Sequence, residues 1–224
     1  MASPGGSDLR ERIARRVALE LRSGQVVNLG IGLPTLVKNF IPPGIDVWLQ
    51  SENGLLGLGP EPPPERADPE ITDAGGRLAT ILPGGCFFDT ATSFAMIRGG
   101  HIDITVLGVL QVDAAGNLAN WMIPGQFVAG IGGGMDLAAG ARRVIAATEH
   151  NTKDGQPKIV DRCTLPLTVV GRVSTIVTEL AVLDVTPAGL TVRELVPDVD
   201  WHTLCARTGA PLVRSPAVKT TSHR

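Results

Sequence analysis

The chain has 224 residues, 43% of them apolar and 19% charged, with a formal net charge of −2. That balance excludes a disordered polyelectrolyte, and the lack of a basic excess gives a nucleic-acid partner no footing. No apolar run approaches the roughly 18 residues a membrane helix needs.

One core of ordinary domain size is expected from this length, covering about residues 8–216 with a polar tail after it. Cys86, Cys163 and Cys205 are odd in number, widely spaced and form no CxxC pair. A disulfide framework or zinc site is therefore not expected, and a reducing compartment, the cytoplasm, fits best. The first six residues carry neither a basic stretch nor an apolar core of the secretory kind.

Ser7 is placed to cap a helix over 8–21, whose Leu9, Ile13, Val17 and Leu21 recur every four positions. Ser23-Gly24 ends it. Residues 25–29 read as a buried strand, followed by Gly30-Ile31-Gly32-Leu33-Pro34, with Pro34 in the first turn of a short helix through Phe40. A second strand over 46–49 follows. Strand, glycine turn and helix in alternation predict an α/β fold, a mainly parallel sheet flanked by helices.

Where that second strand stops, a carboxylate appears. Glu52 is followed by glycines at 54, 57 and 59, with no large side chain to shield it. Open α/β sheets bind ligands beyond the carboxyl ends of their strands, which makes Glu52 a candidate for chemistry. The residues alone equally permit a solvated or capping Glu in a turn, and Ser51 and Asn53 either orient it or cap that turn.

The prolines of 60–65 form a stiff surface loop, a spacer or a lid. Further on, 77–82 reads as a strand with a turn at 83–85, and 90–97 as a helix stopped by Gly99-Gly100. A long strand over 102–112 turns at 113–116 into 117–123, which suggests a hairpin. The glycine run 130–134 precedes a helix starting near Met135. Strands are expected at 144–148, 176–185 and 190–195, with a turn at 187–189, then a helix over 200–207 and a polar tail from Ser215.

Unhindered amides in 130–134, just ahead of a helix N-terminus, suit a developing negative charge, although a packing turn has the same look. Met135 occupies the place of the third glycine of a dinucleotide fingerprint, as Thr35 does after Gly30-Ile31-Gly32. Asn120 either bonds a substrate or satisfies a turn. His101, His150, His202 and His223 lack paired metal spacing, and no GxSxG or Walker motif is present. His202 and Cys205, one helical turn apart, read as a chance pairing.

The nine residues Leu49-Gln50-Ser51-Glu52-Asn53-Gly54-Leu55-Leu56-Gly57 resemble the active-site signature of the beta subunit of the 3-oxoacid coenzyme A-transferases, the family I CoA-transferases. The resemblance runs over about 8–216. It implies a CoA-transferase-like fold with Glu52 as nucleophile in a ping-pong cycle through a glutamyl-CoA thioester. It implies an oxyanion hole at the amide of Gly133, and substrate or CoA contacts from Gly30, Gly32, Asn53, Gly54, Asn120 and Gly132. No permanently bound cofactor and no metal is implied, with coenzyme A as a substrate. The implied partner is an alpha subunit, as αβ or α2β2; the donor is succinyl-CoA and the acceptor acetoacetate, as in ketone body metabolism, or 3-oxoadipate. Related sequences often carry Lys third in the place of Ala74-Gly75-Gly76, so a CoA-phosphate contact is not carried over there. The same scaffold also suits an acyl-CoA hydrolase, and a non-catalytic CoA-sensing subunit is a reading of another class.

Overall fold

Helix α1 (Pro4–Ala18) opens the computed structural model, which describes residues 4–128 and 130–220. The helix starts ahead of the expected 8–21 span, so Ser7 lies inside its first turn and is not its cap. Pro4 is tolerated there because a first-turn residue needs no N–H partner. Ile13, Ala14, Val17 and Ala18 are wholly buried, the spacing of one helix face against a sheet.

Then come β1 (Val26–Leu29), a 3₁₀ helix (Pro34–Phe40), β2 (Trp48–Ser51), β3 (Leu55–Leu58) and β4 (Ile81–Phe87). Helix α2 (Thr90–Arg98) is capped by the Asp89 carboxylate, which accepts from the Thr92 N–H. After it run β5 (Ile104–Leu107), β6 (Gln111–Asp113), β7 (Leu118–Ala119), β8 (Met122–Ile123), β9 (Phe127–Val128), α3 (Gly134–Gly140) and β10 (Arg143–Ala147). The chain closes with β11 (Ile159–Val160), β12 (Val173–Val177), β13 (Ala181–Thr186), β14 (Gly189–Leu195), α4 (Trp201–Arg207) and β15 (Leu212–Thr220).

Ten strands form one sheet in the order β15-β14-β13-β12-β10-β5-β1-β2-β3-β4. Its centre, β12-β10-β5-β1-β2, is parallel throughout. All four residues of β5 are buried, as a parallel strand covered on both faces requires. Val27 joins α1 in the larger core, whereas Val26 packs with Ile97 of α2 and Leu137 of α3. Successive strand residues face opposite ways, so α1 covers one face and α2 with α3 the other. The outer pairs β2-β3, β3-β4, β12-β13 and β13-β14 are antiparallel. Among the described residues no helix is long and apolar enough to cross a membrane.

Several expected boundaries differ. The strand expected over 102–112 is two, β5 and β6, separated at residues 108–110. The strand expected over 176–185 is the antiparallel pair β12 and β13, reversed at 178–180. Pro83-Gly84-Gly85 lies inside the edge strand β4 instead of forming a turn; an edge position tolerates a proline. The tail from Ser215 continues as β15 to Thr220, parallel to β14, and 221–224 lie outside the described residues. The parallel block delivers the carboxyl ends of β1, β2 and β5 to one edge, where Gly30, Glu52 and Gly108 follow directly.

Candidate active site

β2 pairs with β3 through Gln50↔Leu56 and Ser51↔Leu55, which leaves 52–54 as the connecting turn. Gly54 has φ +118°, and a Cβ there would lie 2.1 Å from the Phe88 carbonyl oxygen, so only glycine fits. The neighbours of Glu52 are both tied down. The Ser51 Oγ accepts from the Ala74 N–H at 2.8 Å, and the Asn53 side-chain amide donates to the Thr72 carbonyl at 2.8 Å.

Glu52 itself lines a cleft of about 480 Å³, together with Gly30, Ile31, Gly108, Asn120 and the glycine run 130–134. The backbone amide of Gly133 acts on its carboxylate and favours the charged form. Burial raises the Glu52 pKa; the Gly133 amide opposes that rise, and the nearby Asp136 carboxylate adds to it. Asp136, on α3, is paired with Arg98 of α2 at 2.7 Å. A carboxylate so placed has lost part of its hydration, and a backbone amide beside it favours its charged form.

Of the residues singled out in the sequence, Gly30, Glu52, Asn120, Gly132 and Gly133 meet at this cleft. Gly30 commits its N–H to the Val106 carbonyl at 2.8 Å, and a Cβ there would sit 3.0 Å from that oxygen. It makes room for the wall. Asn120 donates to the Gly108 carbonyl and accepts from the Thr168 hydroxyl, so its amide braces the cleft wall. Gly32, Asn53 and Gly54 do not line the cleft. Gly32 has φ +94° and its carbonyl accepts from the Thr35 hydroxyl, while Asn53 and Gly54 fix the turn that carries Glu52.

Three features escaped the sequence reading. The break at residues 108–110 forms part of the cleft wall; Gly108 inside an apolar run was the available signal. Ile31 (68% exposed) and Ile131 (40% exposed) stand on the cleft lining as uncovered apolar side chains. Asp136 acts on Glu52 from α3 with no local sequence cue. The proline loop stands apart: Pro60 borders a second groove of about 510 Å³ with Lys38, Trp48 and Leu82. His202 and Cys205, on α4, are exposed and absent from the cleft lining. Among the described residues no His, Cys, Asp and Glu cluster could hold a metal ion.

Comparison with known proteins matches the coenzyme A transferase family to residues 10–206. The beta subunit of the acetate CoA-transferase of Escherichia coli strain K12 is 54% identical over 203 residues, 91% of this chain and 93% of that one. A subunit of the 3-oxoadipate CoA-transferase of Pseudomonas putida is 49% identical over 206 residues, 92% of this chain and 96% of that one. The human mitochondrial succinyl-CoA:3-ketoacid coenzyme A transferase 2 is 51% identical over 214 residues, 92% of this chain and 41% of that one. Among solved structures, the apoenzyme of an acyl-CoA transferase (YdiF) from Escherichia coli O157:H7 superposes with a TM-score of 0.75 at 22% identity, over 96% of this chain and 43% of that one. Such a likeness speaks to the fold alone, yet the sequence relatives span nearly the whole chain, and on them the chain belongs to the coenzyme A transferase family.

Proposed function

We propose that this chain is the nucleophile-bearing beta subunit of a 3-oxoacid CoA-transferase and that Glu52 carries CoA covalently between donor and acceptor. One observation bears most of the weight: the Glu52 carboxylate is half-buried in a glycine-walled cleft at the carboxyl edge of a parallel sheet, beside the backbone of Gly133.

The carboxylate attacks the carbonyl carbon of succinyl-CoA, expelling CoA thiolate and forming a mixed anhydride. The thiolate attacks the Glu52 carbonyl, giving the glutamyl-CoA thioester and free succinate. The carboxylate of a 3-oxoacid then displaces the thiolate, which returns to the new acyl carbon and frees Glu52. No water enters, so the thioester energy is conserved. The Gly133 N–H meets the charge that builds on the Glu52 carbonyl oxygen in the steps that attack it. Asp would hold its carboxylate one methylene short of that amide.

An alpha subunit completes the site, as αβ or α2β2, a reading supported by two relatives that are named as single subunits of larger enzymes, one of them a beta chain. The cytoplasm suits three cysteines that are all free. The test is CoA transfer from succinyl-CoA by the complex of the two subunits, with and without acetoacetate or 3-oxoadipate. Consumption that depends on the acceptor supports transfer, and consumption without it supports a hydrolase instead. A sensing subunit would keep its function in Glu52→Gln.

A further inference from the structure

Beside Ser51, the residue that leads into the Glu52 turn, lies a void of about 20 Å³, lined among others by Asn28, Lys38 and Asp73. Two residues of this lining each carry a buried acceptor oxygen, Asn28 Oδ1 and Asp73 Oδ2, that has no hydrogen-bond partner among the described residues. Their residues are only 2% and 5% exposed. The Asn28 orientation is settled by its neighbours: its amide donates to Gln50 Oε1 at 2.7 Å, and the Gln50 amide donates to Ser93 Oγ at 3.0 Å. Asp73 Oδ1 is equally committed, accepting from the N–H groups of Gly75 at 2.8 Å and Arg77 at 3.0 Å. Ser51 Oγ accepts from Ala74, which leaves its own O–H to donate.

Leaving two buried acceptors bare costs about 1–3 kcal/mol each. A water needs only about 10–15 Å³ and two to four polar partners. Its two O–H groups match the two bare oxygens, and its lone pair matches the Ser51 hydroxyl. We propose that this void is a water site, and that Asn28 and Asp73, joined through that water, are positioning residues for Glu52. The connection is short. Asp73 organises the turn over 73–77, whose Ala74 N–H holds Ser51 on one side of Glu52, while the adjoining Thr72 carbonyl holds Asn53 on the other. The water fastens that turn to β1 through Asn28. This proposal rests on Glu52 as the nucleophile.

The test is the single-turnover rate of thioester formation on Glu52 in the complex with the alpha subunit, for wild type, Asp73→Ala and Asp73→Asn. A misplacement of about 1 Å can lower a rate about a hundredfold, so Asp73→Ala is expected to slow formation roughly ten- to a hundredfold while half-saturation by acyl-CoA stays within about twofold. Asp73→Asn keeps the oxygen that accepts from Gly75 and Arg77 and gains an N–H₂ facing Asn28, so most of the rate returns. A folded Asp73→Ala that labels Glu52 at the wild-type rate overturns the proposal, as does an Asp73→Asn slowed equally. If Asp73→Ala does not fold, a high-resolution crystal structure of the wild-type complex decides: one water within about 3.2 Å of both oxygens supports the site, whereas a metal ion or an empty void refutes it. Wild-type protein that never labels Glu52 is a different result, and it refutes the underlying assignment of the nucleophile.

Discussion

A methyl group built on Gly133 would lie 2.9 Å from both Cδ and Oε1 of Glu52, closer than real Cβ contacts. Gly133 has φ −78°, so alanine there brings no backbone strain. Gly133→Ala is therefore expected to fold with a melting temperature near wild type while transfer falls about a hundredfold or more, because the carboxylate must move away from that amide. At Gly134 an added methyl meets nothing within 4 Å, and Gly134→Ala should lose far less. Steady-state kinetics on the two alanine variants check this; equal losses would show that glycine 133 owes nothing to Glu52.

The acid limb of activity should report Glu52. Burial and Asp136 lift its pKa above 4.5, the Gly133 N–H only partly offsetting them, and only the ionised form attacks a thioester. Activity is expected to fall as pH drops through that raised value. Asp136→Asn removes a like charge and releases Arg98, so the limb should move to lower pH. A pH–rate profile on the acyl-CoA half reaction measures it, and a limb that stays put or moves upward would count against the coupling.

Glu52→Gln should be inactive and yet more thermostable at neutral pH. With its folded pKa above the unfolded 4.5, the folded chain holds this proton longer, so stability declines as pH rises between those two values. The neutral amide lacks that penalty. Transfer should drop by about a thousandfold or more. Calorimetry should find a higher melting temperature than wild type at pH 7 and no gain near pH 4. A lower melting temperature at pH 7 would show that the charge is stabilising.

His150 gives a second, opposite pH effect, on folding alone. It is fully buried between the hydroxyls of Thr178 (3.1 Å) and Thr208 (2.9 Å). Burial, reinforced by Arg207, lowers its pKa from 6.5 to about 4. The unfolded chain binds the extra proton between those values, so stability is intact above pH 6.5 and is lost as pH falls toward 4. At 1.36 kcal/mol per pH unit the loss from this residue reaches about 3 kcal/mol. Urea unfolding at pH 7 and pH 4.5 should show it, with a smaller difference in His150→Gln; an equal difference would contradict this origin.

The Glu52 turn was legible because its cues are local: a buried strand, a carboxylate at its end, then glycines. Its partner was not. Gly133 reaches Glu52 only once the parallel sheet is assembled, and the glycine run by itself reads more readily as a packing turn. Hydrophobic pattern failed where apolar residues run on through a reversal. Ile176, Val177, Leu180 and Ala181 are all buried, and the fold turns between them because the Thr178 hydroxyl accepts from the N–H groups of Leu180 and Ala181. Ser215, Lys219 and Thr220 read as a tail because an edge strand can be polar on its open side. Asp73 has no local cue in the sequence, and only its burial distinguishes it.

Covalent capture on Glu52 tests the proposed mechanism most directly. The complex of the two subunits is incubated with succinyl-CoA and no acceptor, treated with borohydride, and digested for mass spectrometry. A glutamyl thioester is reducible, so Glu52 should be recovered as the corresponding alcohol, in wild type and not in Glu52→Gln. An unmodified Glu52 in protein that still exchanges CoA would contradict it.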